Sequence, residues 1–359
     1  MRFFMGLVLA LALGVMGCSE AAGTGGTGGD GGTGGMTGQE FPCTESGIRA
    51  AIAEGGGPFT FDCDGPQTVV TEAEIVIDND VILDGEGNLT VDGDDDHLVF
   101  RVEDEDATDP GQLVVGLRGL TVTGGAIFGD SGGGIRNGGT LTLTDCTISE
   151  NRADAGGGGI FNFGSLTVRS STISGNIADY AGAILISSGG VSIWNSTVSG
   201  NTTLSDSGAI WTTRTLDDDG SLSMSASTVS GNIGGGIKAG GSTYLRNTIV
   251  KDDCDVEVPS VIPSVVSAGN NIESPGDTCG FDQPTDQVNV SADDLNLEEF
   301  ADNGGPTMTQ ALGAGSVAID QIPAEDCVDA DGAPLTTDQR GEPRPGGTAC
   351  DVGAFEVQP

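Results

Sequence analysis

Four carboxylates recur at nearly one interval. Asp130, Asp154, Asp179 and Asp206 stand 24, 25 and 27 residues apart, each four to six residues before the isoleucine of a glycine-rich step. If successive segments stack as coils, the four form a column with neighbours roughly 5 to 7 Å apart. Such a column repels itself unless Ca²⁺, a hard cation that accepts several oxygen ligands, sits between its members. Loose, solvated turn carboxylates are the competing reading, because Asp is common in turns. Two carboxylates at about 5 Å also resemble a retaining glycosidase pair, but four equivalent ones offer no separate acid and nucleophile.

Other reactive side chains form no catalytic set. The single histidine, His97, lies in Asp94-Asp95-Asp96-His97, ahead of the regular part of the chain, and reads as a solvated loop residue. Arg136, Arg152 and Arg169 read as scattered surface charges, and Arg214 and Lys238 sit in no motif. Cys146 aligns with Ser171, Ser196 and Ser227, two residues before Ile148, which predicts a small buried thiol; a catalytic one would want a histidine partner. Asn195 and Asn201 fall in glycosylation sequons but read as turn positions.

The elements that must position these residues repeat with a period near 25. Glycine-rich steps end in Ile135, Ile160, Ile184, Ile210 and Ile237. Alternating strands follow at Leu141-Thr142-Leu143, Leu166-Thr167-Val168, Val191-Ser192-Ile193 and Leu222-Ser223-Met224. Then come Thr147-Ile148-Ser149, Thr172-Ile173-Ser174, Thr197-Val198-Ser199 and Thr228-Val229-Ser230, with Asn151, Asn176, Asn201 and Asn232 behind them. The longer last interval is explained by an insertion at Asp217-Asp218-Asp219. Three short strands per repeat without helical periodicity exclude a leucine-rich repeat or a propeller. The pattern predicts an all-β parallel β-helix in which coils stack at about 4.8 Å on an inward column of Leu, Val and Ile.

Composition agrees. Glycine contributes 62 residues and proline 14 of 359, which argues against helical bundles, and aromatics at 4% imply an aliphatic core. The formal charge of −40 would repel nucleic acid and anionic membranes. Residues 1–17 carry Arg2 and an apolar run, the layout of a secretory signal. Residues 18–40 form a Gly/Thr-rich tether reaching roughly 25 Å. Residues 41–75 read as an N-terminal cap with a short amphipathic helix, 76–253 as coils and 254–359 as terminal coils with an irregular region. Export favours disulfides. Neighbour pairing would join Cys43 to Cys63, Cys254 to Cys279 and Cys327 to Cys350, although six cysteines permit about 15 connectivities. Zinc is a weak alternative without any Cys-x-x-Cys pair.

Several segments resemble known families. Val15-Met16-Gly17-Cys18 resembles the lipobox of bacterial lipoproteins, which implies acylation of Cys18 and, with Ser19 following, an outer-membrane or surface address. The Gly-Gly-x-Ile and Thr-Ile-Ser-Gly-Asn units resemble right-handed parallel β-helix repeats of the pectin-lyase-like superfamily, and also the short repeats of polymorphic outer membrane proteins. Asp302-Asn303-Gly304-Gly305-Pro306-Thr307, Gly315-Ser316-Val317-Ala318-Ile319-Asp320, Asp338-Gln339-Arg340-Gly341 and Cys350-Asp351-Val352-Gly353 resemble the choice-of-anchor Q region of bacterial surface proteins. These resemblances imply a lipid-anchored surface β-helix that binds polysaccharide or another surface partner, with Ca²⁺ the one cofactor to consider. A polysaccharide lyase or glycoside hydrolase is the alternative the superfamily raises, and a passive envelope spacer is another. Fold does not carry function.

Overall fold

The computed structural model describes residues 39–103, 113–205, 207–214, 220–256, 265–329 and 332–359. Alternation of apolar and polar residues in five-residue strands turns one set of side chains inward: Leu141, Leu143, Leu166, Val168, Val191 and Ile193 are all buried. Their strands, Thr140–Thr144, Ser165–Arg169, Gly190–Trp194, Ser221–Ser225 and Ser242–Arg246, pair parallel and in register with the next coil. The shorter strands Thr147–Ser149, Thr172–Ser174, Thr197–Ser199 and Thr228–Ser230 do the same, and both sets belong to one 17-stranded sheet. A second sheet of eight parallel strands runs from Ile75–Ile77 to Cys254–Val256 through Ile135–Asn137, Ile160–Asn162, Ile184–Ile186, Ile210–Thr212 and Ile237–Ala239. The protein is thus a parallel β-helix of about eight turns, nearly all β.

One detail differs from the three-strand expectation. Ala126–Ile127, Arg152–Gly156, Ile177–Tyr180 and Thr202–Thr203 form a fourth, four-stranded parallel sheet side. These segments lack apolar alternation over more than two or three residues, so their strand character comes from pairing with the coil above rather than from their own sequence.

The corners are fixed by left-handed backbone and by buried polar ladders. Asp145, Ser170, Asn195, Ala226 and Asn247 all have φ between 44° and 53°. Inside the next corner, Asn151 Nδ2 donates to Asn176 Oδ1 (3.0 Å), Asn176 to Asn201 (2.9 Å), Asn201 to Asn232 (3.0 Å) and Asn232 to Asp252 (2.8 Å). Asn201 is therefore a ladder rung, fully buried, and Asn195 is a buried corner. Cys146 continues the column of Ser171, Ser196 and Ser227, its backbone N–H donating to Ser171 Oγ at 3.0 Å. Burial pushes its thiol up to about 12.

The N-terminal end and one flank are covered. The helix Glu45–Glu54, capped by Thr44 Oγ1 on Gly47 N–H, buries Ile48, Ala51 and Ile52 over the first coil. Gly47 must be glycine, since a Cβ there would lie 2.0 Å from Pro42 O. Disulfides join Cys43 to Cys63, Cys254 to Cys279 and Cys327 to Cys350. Residues 297–357 fold back along the Thr-x-Ser strands. Gln339 Nε2 donates to Thr172 Oγ1 and Thr307 Oγ1 (both 2.9 Å) while Thr197 Oγ1 donates to Gln339 Oε1 (2.6 Å). Arg344, fully buried, lies 3.0 Å from Glu356 and donates to Gly353 O. Arg340 pairs with Asp338 and stacks 3.6 Å over Phe355.

Candidate functional site

On the eight-stranded sheet the residue between two inward-facing neighbours points outward, and parallel register stacks these residues into one column. Beyond Val76 its order is Arg101, Arg136, Phe161, Leu185, Trp211, Lys238, Asp255. Six steps of stacked strands make it about 29 Å long. In a chain with 2 Trp and 2 Tyr, one of each meets here: Tyr180, from the adjoining short strand, lies 5.6 Å from the Trp211 ring at an interplanar angle of 47°. Lys238 Nζ sits 5.1 Å over the other part of this platform and 3.4 Å from Asp255. A coil or two away, Arg136 lies 5.2 Å from the Phe161 ring and 5.5 Å from Phe163, with Asp130 holding its guanidinium at 3.1 Å. Cation–π contacts of this kind attract the cation to the ring face and add to the order of both side chains.

The platform stays accessible. Tyr180 is 46% and Phe163 39% exposed. Trp211 is half-buried, and its indole N–H is buried without an acceptor among the described residues. Beside Lys238 the sheet ends in a hollow of about 390 Å³, floored by Gly208, Gly234 and Gly235 and edged by Asp253 and Asp255. At the other end of the column Arg101 is clamped between Glu103 (3.0 Å) and Glu74, which together hold its pKa above the usual arginine value. The face thus offers aromatic rings, fixed cations and carboxylates in a row, an arrangement suited to an extended polar ligand with apolar ring faces.

The carboxylates singled out by spacing are placed as follows. Pairing of Arg152 with Ile177 and Ala153 with Ala178 puts Asp154 and Asp179 on adjacent rungs. Asp130 is offset: Ala153 pairs with Ile127, and Asp130 accepts through its backbone oxygen from Ala155 N–H at 3.1 Å. Asp130 is engaged by Arg136, and Asp154 lies 3.9 Å from Arg152. Asp206 and Cys18 lie outside the described residues. Among the described residues no three His, Cys, Asp or Glu side chains stand close enough together to hold a metal ion. His97 Nε2 lies 2.8 Å from Thr71 Oγ1 near the capping helix.

Sequence reasoning missed the aromatic platform. The rings occupy different strand contexts, Tyr180 at a strand end and Trp211 mid-strand, so only the pairing register would have revealed them; the available signal was the alignment of Phe161 and Trp211 after equivalent isoleucines. No protein-family model, curated protein or solved structure matches this chain.

Proposed function

We propose that the protein is an exported surface module that binds polysaccharide along the outer face of its eight-stranded sheet and does not turn it over. The observation that carries this reading is the Tyr180–Trp211 pair, its rings 5.6 Å apart and flanked by Lys238 at 5.1 Å. Pyranose rings present apolar C–H faces and polar edges, so they stack on such rings while their hydroxyls reach the neighbouring charges. A column of about 29 Å accommodates several consecutive sugar units. The signal-like residues 1–17, the Gly/Thr tether and Cys18 support lipid anchoring at the bacterial envelope, and three disulfides suit an oxidising compartment.

A glycan array probed with the purified protein, run beside assays for uronic-acid unsaturation and reducing-end release, tests the reading. Binding to at least one extended polysaccharide without product is expected, with Trp211→Ala weakening it about tenfold or more, in line with loss of a stacking residue at a binding hot spot. Robust turnover would move the protein to the lyase or hydrolase class. Absence of binding across the array would favour an envelope spacer. Replacement of Cys18 by Ala is expected to release the protein from membranes in a fractionation experiment.

A further inference from the structure

A second hollow lies on a different sheet and uses none of the residues above. It measures about 570 Å³ and is lined by Asp84, Glu86, Arg118, Thr144, Asp145 and Arg169 on one side and by Pro306 on the other. Register builds the protein wall: Asp84, Arg118, Thr144 and Arg169 are successive outward rungs at the ends of paired strands. The opposite wall is the loop Gly304-Gly305-Pro306, pinned to the coils where Thr307 Oγ1 donates to Ser170 O (3.3 Å) and Thr172 Oγ1 donates to Met308 O (2.6 Å). Gly305 fixes the approach, since a Cβ there would lie 2.5 Å from Arg340 Cα.

The polar groups in this hollow are unusually unspent. The Arg118 guanidinium makes no ion pair within 4 Å and no hydrogen bond to the described residues, and the Asp145 carboxylate accepts none from them. Arg169 uses only Nε, which donates to Thr144 Oγ1 at 2.8 Å, leaving its two terminal nitrogens open. Asp145 is partly buried, and that burial raises its pKa against the opposing pull of Arg169 and Arg118. An exposed turn Asp would pay no such cost, and the equivalent corners of other coils carry Ser170, Asn195, Ala226 and Asn247 instead.

We propose that this hollow is a second saccharide subsite, which takes a neutral sugar unit presenting adjacent hydroxyls. It rests on the glycan-binding reading but stands on its own face. Open donors on Arg118 and Arg169 lie beside acceptors on Asp145 and on Oδ2 of Asp84, whose Oδ1 already takes the Glu86 N–H at 3.0 Å, and a hydroxyl both donates and accepts. With Glu86 the hollow sets three carboxylates against two guanidinium groups, so the net negative field disfavours an anionic unit while Arg118 and Arg169 oppose a cationic one. Two subsites on separate sheets would let one molecule hold two glycan strands, or two stretches of one, with the avidity that follows.

Calorimetric titration of the purified full chain with neutral gluco-, manno- and xylohexasaccharides tests the proposal. Two classes of site are expected. Arg118→Ala and Asp145→Asn each weaken one class about tenfold or more, as for lost hydrogen bonds to charged groups, and Trp211→Ala weakens only the other. Asn already occupies this left-handed corner at Asn195 and Asn247, so Asp145→Asn retains the fold. Unchanged titrations for both groove variants overturn the subsite while leaving the Trp211 face intact, as does complete loss of binding in Trp211→Ala. Binding confined to the groove upholds the subsite and removes the Trp211 reading. No heat with any of the three sugars overturns both.

Discussion

Asn201 illustrates what one residue does in this fold. Its side-chain amide donates to Ile173 O (3.0 Å) and Asn232 Oδ1 (3.0 Å), and its oxygen accepts from the N–H and the Nδ2 of Asn176 (3.1 and 2.9 Å). All of these groups are buried, where an orphaned donor or acceptor costs far more than a hydrogen bond contributes. Asn201→Ala is therefore expected to cost about 2–4 kcal/mol, read as a shift in the denaturant midpoint. Truncation to Ala at the exposed strand residue Gln67, whose side chain makes no hydrogen bond to the described residues, should change the midpoint little. An equal shift for both would show that the ladder adds no more than any surface residue. The sequon at Asn201 is accounted for by this ladder. Lys238 and Arg136 likewise acquire meaning only from their rings, since neither belongs to a motif in the chain.

At the scale of elements, the repeated coils were legible and the covering segment was not. Partners within the coils sit 25 residues apart, as with Asn176 and Asn201, so a periodic pattern in the sequence is itself the contact map. The short fourth strands escaped because two or three residues of Ala, Ile or Thr carry no period of their own. Gln339 meets Thr172 across 167 residues and Asn195 meets Thr337 across 142, with no repeat to announce either contact. The Asp338-Gln339-Arg340-Gly341 segment therefore reads in the structure as the fastening of a clasp: Gln339 plugs between coils while Asp338 orients Arg340 over Phe355. Gln339→Ala strands the buried Thr197 hydroxyl and removes the Nε2 donor shared by Thr172 and Thr307, and should loosen this clasp while the solenoid stays folded. Hydrogen exchange checks it. Faster exchange confined to residues 302–357 is expected; uniform acceleration through residues 135–250 would mean that clasp and coils unfold as one unit.

The whole molecule carries −40 charges on a fold whose buried carboxylates are costly. Burial raises the pKa of Asp252, Asp351 and Glu356, against the pull of Asn232 on the first and Arg344 on the other two. A carboxyl whose folded pKa is raised contributes stability that is complete below its unfolded pKa and lost as pH rises through the folded value. Acidification from about pH 7.5 to about 4, the unfolded carboxylate range, should therefore raise Tm, helped by relief of like-charge repulsion, and salt should raise Tm more at the higher pH. A Tm that falls over this interval, or that ignores salt, would contradict this. The composition that first excluded nucleic acid also explains why the few cations matter. Arg101, Arg136 and Lys238 share one sheet face and each is held by a carboxylate or a ring, so the face is a preorganised surface in an otherwise acidic molecule. The central claim is that glycan lies on Trp211, and the chain has only one other tryptophan, Trp194. In Trp194→Phe, fluorescence titration with a polysaccharide that the protein binds should give a saturable change in Trp211 emission and shield it from acrylamide. Binding that leaves Trp211 emission and quenching unaltered would contradict the claim.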